Sequence, residues 1–357
     1  MTSERDEKTR RVIALLDEHD LDVLLLRSPG GAAWWSGGGR THIPATPEVG
    51  VATLVLRREG DAVRTTVVTA VIEAPRLQAE ELAGLDAEWQ VLPWATPVES
   101  VLPTGPRVGT DVPLEGCRPV GPALSAARAS LVPAEVERLT SLGADAAAAL
   151  TQACSQLRPT DTEWHAAALT GAALHERGVD PVVLLVAGGD RLPVHRHPLP
   201  TAGLLGDAAM VVACGRRAGL IVSLTRFVGA PSASFDRVLE VDAAVNGATR
   251  PGRTVGEVFR TLQAAYVAHG FAEDEWTLHH QGGPAGYAPR EFLADPTSTA
   301  PVVASQVFAW NPSAPGVKSE DTVLTTPDGL PRVVTLDPAW PAREVGGLLR
   351  PLPRPYG

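Results

Sequence analysis

The second half of the sequence contains helix and strand patterns in an order that restricts the possible folds. Pro133 and Glu135 favour the first turn of a helix, and an Ala-rich amphipathic pattern continues from them to Leu157. The Thr-Asp-Thr-Glu segment at residues 160–163 has the form of a capping box, which opens a second helix that should end at Gly178. A strand at residues 181–187 and a hairpin at 208–214 and 220–228 come next. Two helices follow at 235–248 and 255–269, and three returning strands at 302–309, 321–326 and 331–336. This order predicts a mixed α/β (α+β) domain.

The first half also alternates helices and strands. Residues 5–19 carry apolar side chains at helical spacing among charges, and residues 21–26 form an apolar run of strand length. Further strands are predicted at residues 49–56, 62–68, 89–94 and 107–112, with a helix over 72–83. We therefore expect three parts: an α/β domain at residues 1–130, a second domain at 131–340 and a proline-rich C-terminal tail at 341–357.

Charge and length restrict the class of partner. The chain has 357 residues, 44% of them hydrophobic, and a formal net charge of -10, so it can bury an ordinary core but would repel a phosphate backbone. We therefore expect a small-molecule substrate and no nucleic acid. No apolar run reaches the length of a membrane span, the N-terminus is charged, and Cys117, Cys154 and Cys214 are far apart in sequence. These features predict a cytoplasmic protein with no membrane segment.

A histidine pair precedes a glycine-rich segment in the second half. His279 and His280 are followed by Gln-Gly-Gly-Pro-Ala-Gly-Tyr at residues 281–287. The polar segments after it are Arg290-Glu291, Trp-Asn-Pro at 310–312 and Lys-Ser-Glu-Asp at 318–321. Their order resembles the second half of the active site of the pita-bread family, peptidase family M24, which includes methionine aminopeptidase, aminopeptidase P, prolidase and creatinase. The resemblance implies a C-terminal pita-bread domain and a creatinase-like N-terminal α/β domain.

The resemblance also places the family's metal ligands in this chain. Metal-dependent members hold two metal ions with two aspartates, a histidine and two glutamates; the histidine matches His280 and the last glutamate matches Glu320. Val212, Ser223 and Asn311 stand at the other three positions. Hard divalent cations need several anionic oxygens, and one histidine with one glutamate cannot hold a dinuclear centre. We therefore expect no metal and no other cofactor.

Creatinase hydrolyses a carbon–nitrogen bond on this fold without a metal, by means of a histidine and carboxylates. The equivalent histidine follows a Val-Ala-x-Gly stretch, and His197 matches it better than His195. Histidine is suited to moving protons near neutral pH. The expected catalytic residues are His197, His280, Tyr287, Glu291 and Glu320, and the expected substrate-binding residues nearby are Arg226, Arg290 and Asn311.

One segment of the first half has an implied role in a dimer. Residues 32–42, Ala-Ala-Trp-Trp-Ser-Gly-Gly-Gly-Arg-Thr-His, stand where creatinase-like chains carry a loop that reaches the partner subunit's active site. Trp35 and Arg40 would then bind substrate in a homodimer. The alternative is that the tryptophans pack at a sheet edge.

The residues leave three functions open. The first is a metal-independent, creatinase-like enzyme that acts on a carbon–nitrogen bond of a small polar substrate, with a carboxylate on that substrate. The second is a metallopeptidase of the Xaa-Pro aminopeptidase or dipeptidase type with an atypical metal site, against which Val212 argues. The third is a non-catalytic pita-bread protein that binds a partner. We expect the first.

Overall fold

The computed structural model describes residues 3–357, which divide into two compact units. The first comprises the chain up to Ala134 together with Ala218–Leu220. Its helices are α1 (Glu4–Glu18), α2 (Pro29–Ser36), α3 (Ala74–Arg76, continued by a π-helical turn at Leu77–Glu81) and α4 (Gly121–Ala127). Its strands are β1 (Val23–Leu26), β2 (Ala52–Glu59), β3 (Ala62–Ala70), β4 (Glu88–Leu92), β5 (Val108–Thr110) and β6 (Arg118–Pro119). They form one mixed sheet in the order β4-β3-β2-β1-β5-β6.

The centre of this sheet follows from its sequence. All four residues of β1, Val-Leu-Leu-Leu, are buried, as expected for a strand covered on both faces. Helix α1 begins with a capping box, in which Ser3 Oγ accepts from Asp6 N and the Asp6 carboxylate accepts from Ser3 N. Helix α2 includes residues 32–36, so the tryptophan pair lies on a helix, and the rest of that segment, residues 37–42, forms a loop. The mixed α/β class expected for this half is confirmed.

The second unit comprises Glu135–Arg217 and Ile221–Gly357. Its helices are α5 (Pro133–Cys154), α6 (Glu163–His175), α7 (Phe235–Ala248) and α8 (Val255–Ala268). Its strands are β7 (Asp180–Gly188), β8 (Ala208–Arg217), β9 (Leu220–Gly229), β10 (Gly282–Ala285), β11 (Val307–Trp310), β12 (Ser313–Ala314), β13 (Val317–Lys318), β14 (Asp321–Leu324), β15 (Arg332–Val333), β16 (Ala342–Val345) and β17 (Leu348–Pro351). The sheets are β7-β8-β9, β10-β11-β14-β15, β12-β13 and β16-β17. None of the helices in residues 3–357 combines the length and the hydrophobicity that a membrane span requires.

The four-stranded sheet is held against α8 by aromatic side chains. Phe308 and Trp310 of β11 pack in one buried cluster with Phe259 and Leu262 of α8. The Trp310 indole also donates a hydrogen bond to Thr249 Oγ1 at 2.9 Å, which satisfies its buried polar atom. This packing sets the position of β10 and of the histidine pair that precedes it.

Strand β10 depends on glycine. Gly282 has φ +88° and pairs with Trp310, and a Cβ added there would clash with the carbonyl oxygen of Ala309. We predict that Gly282→Ala destabilises the protein by about 2–3 kcal/mol, from backbone strain and the clash together. The control is Gly247→Ala in α7, where the nearest atom to the new methyl, a Leu330 carbon, is 3.8 Å away. Chemical unfolding should show the control unchanged or up to about 1 kcal/mol more stable; equal losses in both variants would contradict the prediction.

Residues 341–357 are part of the second unit rather than a tail. Strands β16 and β17 form a hairpin, and the Arg350 side chain on β17 is fully buried. Its guanidinium lies 2.5 Å from an Asp242 carboxylate oxygen and 3.2 Å from an Asp321 oxygen. Buried charges of this kind need partners, and the C-terminal segment supplies Arg350 as a cation to Asp242 and, beside Arg226, to Asp321.

Candidate active site

Three histidine rings lie side by side in the second unit. Nε2 of His197 and Nε2 of His279 are 2.9 Å apart, and the two rings meet edge to face with centroids 4.7 Å apart. The His280 ring centroid lies 5.2 Å from that of His197 and 4.6 Å from that of His279. One ring nitrogen from each residue falls within 4.8 Å of the others. We call these three residues the histidine cluster.

A buried glutamine positions the histidine pair at the start of β10. The Gln281 side-chain amide donates to the backbone oxygens of His279 at 2.6 Å and Trp276 at 3.0 Å. Its oxygen accepts from the Tyr266 hydroxyl at 2.8 Å. With these bonds the glutamine is 1% exposed and its polar atoms are satisfied. His197 joins from the segment between β7 and β8, where its side chain is exposed.

A hydrogen-bond chain extends from His279 into the protein. Nδ1 of His279 is 3.2 Å from Ser313 Oγ, which accepts from Arg196 at 3.1 Å. Arg196 also donates to Glu275 at 2.6 Å. A serine hydroxyl can accept or donate, so the chain from Ser313 through His279 to His197 has two possible arrangements of its hydrogens. One leaves Nδ1 of His197 as an acceptor, and the other leaves it as a donor.

Glu320 is held between two cations. Its carboxylate lies 2.7 Å from Arg290 Nη2 and 2.9 Å from Lys318 Nζ, and it also accepts from Thr225 Oγ1 at 3.0 Å. Burial opposes ionisation of Glu320, but the attraction of Lys318 and Arg290 outweighs it and lowers the pKa to about 2. Glu320 is therefore ionised, and the three side chains together carry a charge of about +1 at neutral pH.

Lys318 and Arg290 also lower the pKa values of the nearby histidines. Burial and the Lys318 charge lower the pKa of His279 to about 2, and burial and the Arg290 charge lower the pKa of His280 to about 4. Burial, followed by the Lys318 charge, lowers the pKa of His197 as well. The histidine cluster is therefore uncharged at neutral pH and faces a positive group of side chains.

The dinuclear centre implied by the resemblance does not fit these residues. Val212 is 2% exposed and packs in an apolar cluster. Ser223 Oγ lies 3.1 Å from Cys214 Sγ and accepts from Arg290 at 3.3 Å. Asn311 is 1% exposed and supplies a neutral amide. With cations already on Glu320, the donor set lacks the anionic oxygens that two hard divalent ions need.

Among the expected site residues, three buried polar atoms have no hydrogen-bond partner within residues 3–357. They are Nδ1 of His280, Oδ1 of Asn311 and Nε of Arg290. Unsatisfied buried groups are rare, because leaving one unpaired is costly. The sequence predicts all three residues at the site. Each has one hydrogen-bonding atom that a polar ligand could pair.

Three other expected site residues have hydrogen-bond or ion-pair partners of their own in the second unit. Tyr287 donates from its hydroxyl to Glu135 at 2.6 Å, and Glu291 accepts from the Tyr287 backbone N–H at 3.1 Å. Arg226 is 1% exposed and lies 3.0 Å from an Asp321 oxygen. These contacts give Tyr287, Glu291 and Arg226 structural partners. His197 instead lies against His280, Glu320 pairs with Arg290, and the two pairs interact electrostatically.

The two expected residues of the first unit also have local partners. Trp35 is 2% exposed, and its indole donates to Thr65 Oγ1 at 3.0 Å. The Arg40 guanidinium is 55% exposed and lies 2.7 Å from Glu81. Trp35 therefore packs on helix α2 against β3, an interior strand of the sheet rather than its edge, and Arg40 is the more accessible of the two.

Sequence reasoning gave no role to His279 or Ser313, and it considered Arg196 only as a cation near the site segments. Alignment with the family pattern used His280 alone, although the adjacent histidine was visible in the sequence. Ser313 carries no motif of its own. The contacts that join His197, Arg196, His279 and Ser313 come from three separate segments of the chain and appear only in the folded protein.

The hydrogen bond from the Tyr287 hydroxyl to Glu135 can be tested by its effect on the free energy of unfolding. Burial and the nearby Glu135 charge raise the pKa of Tyr287 well above its usual value, so it stays protonated and keeps donating. We predict that Tyr287→Phe loses about 1–3 kcal/mol, because Glu135 loses a buried donor. Tyr356→Phe is the control, because its buried hydroxyl has no hydrogen-bond partner within residues 3–357. Urea unfolding measures both, and a Tyr287→Phe variant as stable as wild type would contradict the prediction.

Comparison with known proteins identifies the family. The metallopeptidase family M24 matches residues 137–327. The prolidase from Pyrococcus horikoshii OT3 is 16% identical over 92% of this chain and 98% of that chain, with a TM-score of 0.75. Dipeptidase PepE from Mycobacterium ulcerans is 19% identical over 93% and 95%, with a TM-score of 0.72. The Xaa-Pro dipeptidase from Bacillus anthracis is 17% identical over 95% and 98%, also with a TM-score of 0.72.

No curated protein sequence matches this chain. The solved structures share its fold at low sequence identity, which confirms the expected pita-bread architecture. The reaction must be inferred from the site residues, because a shared fold does not determine function. The family match covers more than half of the sequence and contains the histidine cluster, Arg290, Lys318 and Glu320. The chain therefore belongs to metallopeptidase family M24.

Proposed function

We propose that this M24 member is a hydrolase that cleaves a carbon–nitrogen bond of a small, carboxylate-bearing substrate by proton transfer through histidine, without the family's dinuclear centre. The observation that carries the proposal is the pairing of Glu320 with both Arg290 and Lys318, at 2.7 and 2.9 Å, beside an uncharged histidine cluster. In this proposal, the fixed positive charges of Arg290 and Lys318 replace the positive charge that metal ions supply in metal-dependent members of the family.

The two possible hydrogen arrangements of the chain ending at His197 support proton transfer in both directions. Nδ1 of His197, the nitrogen that does not face His279, accepts a proton in one arrangement and donates it in the other. Hydrolysis needs both steps, since a proton leaves the attacking water and a proton must reach the departing nitrogen. His279 and Ser313 act as positioning residues, because they hold His197 through hydrogen bonds.

The charge of the site supports a substrate with a carboxylate. Glu320, Arg290 and Lys318 together carry about +1, and Nε of Arg290 is a buried donor with no partner within residues 3–357. An anionic oxygen would satisfy that donor with a charge-assisted hydrogen bond. Nδ1 of His280 and Oδ1 of Asn311 add two more unsatisfied atoms that a polar substrate can pair.

A substrate screen in the presence of a chelator tests this function. Purified protein treated with EDTA is incubated with dipeptides, N-acyl amino acids and amidino acids, and release of the amine product is measured. We expect turnover of at least one carboxylate-bearing compound at a rate that Mn²⁺ or Co²⁺ does not raise. Turnover only after addition of either metal would overturn the proposal in favour of the atypical metallopeptidase. Absence of turnover, with or without metal, would favour a non-catalytic binding protein.

We also propose a cytoplasmic homodimer, in which residues near Arg40 help to close the partner subunit's site. The exposure of the Arg40 guanidinium supports its participation, whereas Trp35 would act through packing. Light scattering in solution measures the mass, and a monomer would remove this part of the proposal without affecting the chemistry at the histidine cluster.

A further inference from the structure

We infer that His197, His279 and His280 together form a binding site for one divalent cation of the zinc, nickel or copper class. Each residue offers one ring nitrogen within 4.8 Å of the others. Zinc binds imidazole nitrogens at about 2.0–2.1 Å, which places tetrahedral ligand atoms about 3.4 Å apart. The 2.9 Å between Nε2 of His197 and Nε2 of His279 is already close to that spacing. Side-chain rotations that move His280 by roughly 1–2 Å would complete three ligand positions.

This ligand set differs from the one that the family resemblance implies. His197 and His279 stand outside that set, and its carboxylate positions hold Val212, Ser223 and Asn311. Imidazole nitrogens favour zinc, nickel and copper ions, whereas manganese and magnesium favour carboxylate and carbonyl oxygens. The site should therefore select against the hard cations.

The surroundings of the cluster meet further requirements of a metal site. Nδ1 of His279 is held 3.2 Å from Ser313 Oγ, the kind of outer contact that orients a ligating ring. Nδ1 of His280 has no hydrogen-bond partner within residues 3–357 and keeps its lone pair available. His197 is exposed, so a cation can reach the cluster from solvent and keep a water as a fourth ligand.

The neighbouring charges limit the affinity. Arg290 and Lys318 repel a divalent cation, and Glu320 cancels about one of their two charges. A cation bound by the cluster would also take up ring nitrogens through which His197 transfers protons in the proposed reaction, so it should inhibit that reaction. The binding itself does not depend on whether the proposed function is correct.

Isothermal titration calorimetry of the chelator-treated full-length protein, without substrate, tests the site. We expect one equivalent of Zn²⁺ or Ni²⁺ to bind and neither Mn²⁺ nor Mg²⁺ to give saturable binding. His197→Ala, at an exposed position where folding is not at risk, and His279→Ala should each weaken Zn²⁺ binding at least tenfold. The matched control is His195→Ala, two residues from His197 and exposed, which should bind Zn²⁺ as wild type does.

Three results would overturn the inference: no saturable Zn²⁺ binding, unchanged affinity in His197→Ala, or tighter binding of Mn²⁺ than of Zn²⁺. Circular dichroism of the His279→Ala variant checks its fold, because that side chain is 8% exposed. Since no substrate enters these measurements, a failed substrate screen leaves this test intact, and failure of zinc to bind leaves the hydrolase proposal intact.

Discussion

His197→Ala should lower kcat/KM for the substrate found in the chelator-treated screen by about 10²- to 10⁴-fold, the range of a lost general acid–base residue. The reason is that His197 carries the ring nitrogen at the exposed end of the chain from Ser313 through His279, whose Nε2 lies 2.9 Å from Nε2 of His197. The fall should appear mainly in kcat, because the proposed substrate-binding charge comes from Arg290 and Lys318.

His195→Ala is the matched control for this measurement. The two histidines flank Arg196 in one segment, and both are exposed, but only His197 belongs to the histidine cluster. Steady-state kinetics in EDTA should give the control a kcat/KM within about twofold of wild type, as for a surface change away from the reaction. Equal activity in all three proteins would remove His197 from the mechanism. A large increase in KM at constant kcat would reassign it to substrate binding.

Arg350→Ala should reduce the free energy of unfolding by about 3–5 kcal/mol, the cost of removing one partner from a buried ion pair. Arg350 is 0% exposed, at 2.5 Å from Asp242 and 3.2 Å from Asp321, and both aspartates are fully buried. Burial already raises the pKa of Asp242 to about 6, even with the opposing effect of Arg350. Without the arginine, the folded protein must hold this carboxylate with no nearby countercharge or protonate it.

The raised pKa of Asp242 also makes the free energy of unfolding depend on pH. An acid whose pKa is higher in the folded state binds its proton more tightly there than in the unfolded chain, so the stability it contributes decreases as pH rises through about 4 to 6. Removal of Arg350 raises that pKa further. The loss in Arg350→Ala should therefore be larger at pH 7.5 than at pH 5, where protonation of Asp242 removes the buried charge.

Arg343→Ala on the same hairpin is the control for urea unfolding. Its guanidinium is 45% exposed and lies 2.8 Å from an exposed carboxylate of Asp236. Surface pairs of this kind contribute little, so the change should stay within about 0.5–1 kcal/mol. If Arg350→Ala and Arg343→Ala were equally stable, residues 341–357 would be the loosely attached tail that the sequence first indicated.

Local patterns predicted most elements of the second unit because their signals lie within one segment. The amphipathic pattern from Pro133 predicted α5, which ends at Cys154. The polar segment at 160–163 marked the start of α6, although the residue that caps it is Thr162, whose side chain accepts from His165 N. Strand β10 was missed, because its backbone at Gly282 has φ +88° and fits no periodic side-chain pattern.

The sequence by itself determined the family and named His280 and Glu320, since both stand in ordered motifs that a linear comparison can find. Only the tertiary structure decided which groups meet them. His197 and His279 are 82 residues apart, and the contact between them depends on where sheet register and helix packing place two loops. The same applies to Arg350. The sequence places it in a proline-rich tail, whereas in the structure it lies on a hairpin and is buried beside Asp242 and Asp321. Side-chain chemistry is visible along the chain, but a pairing of charges or rings at this separation is a property of the packed fold.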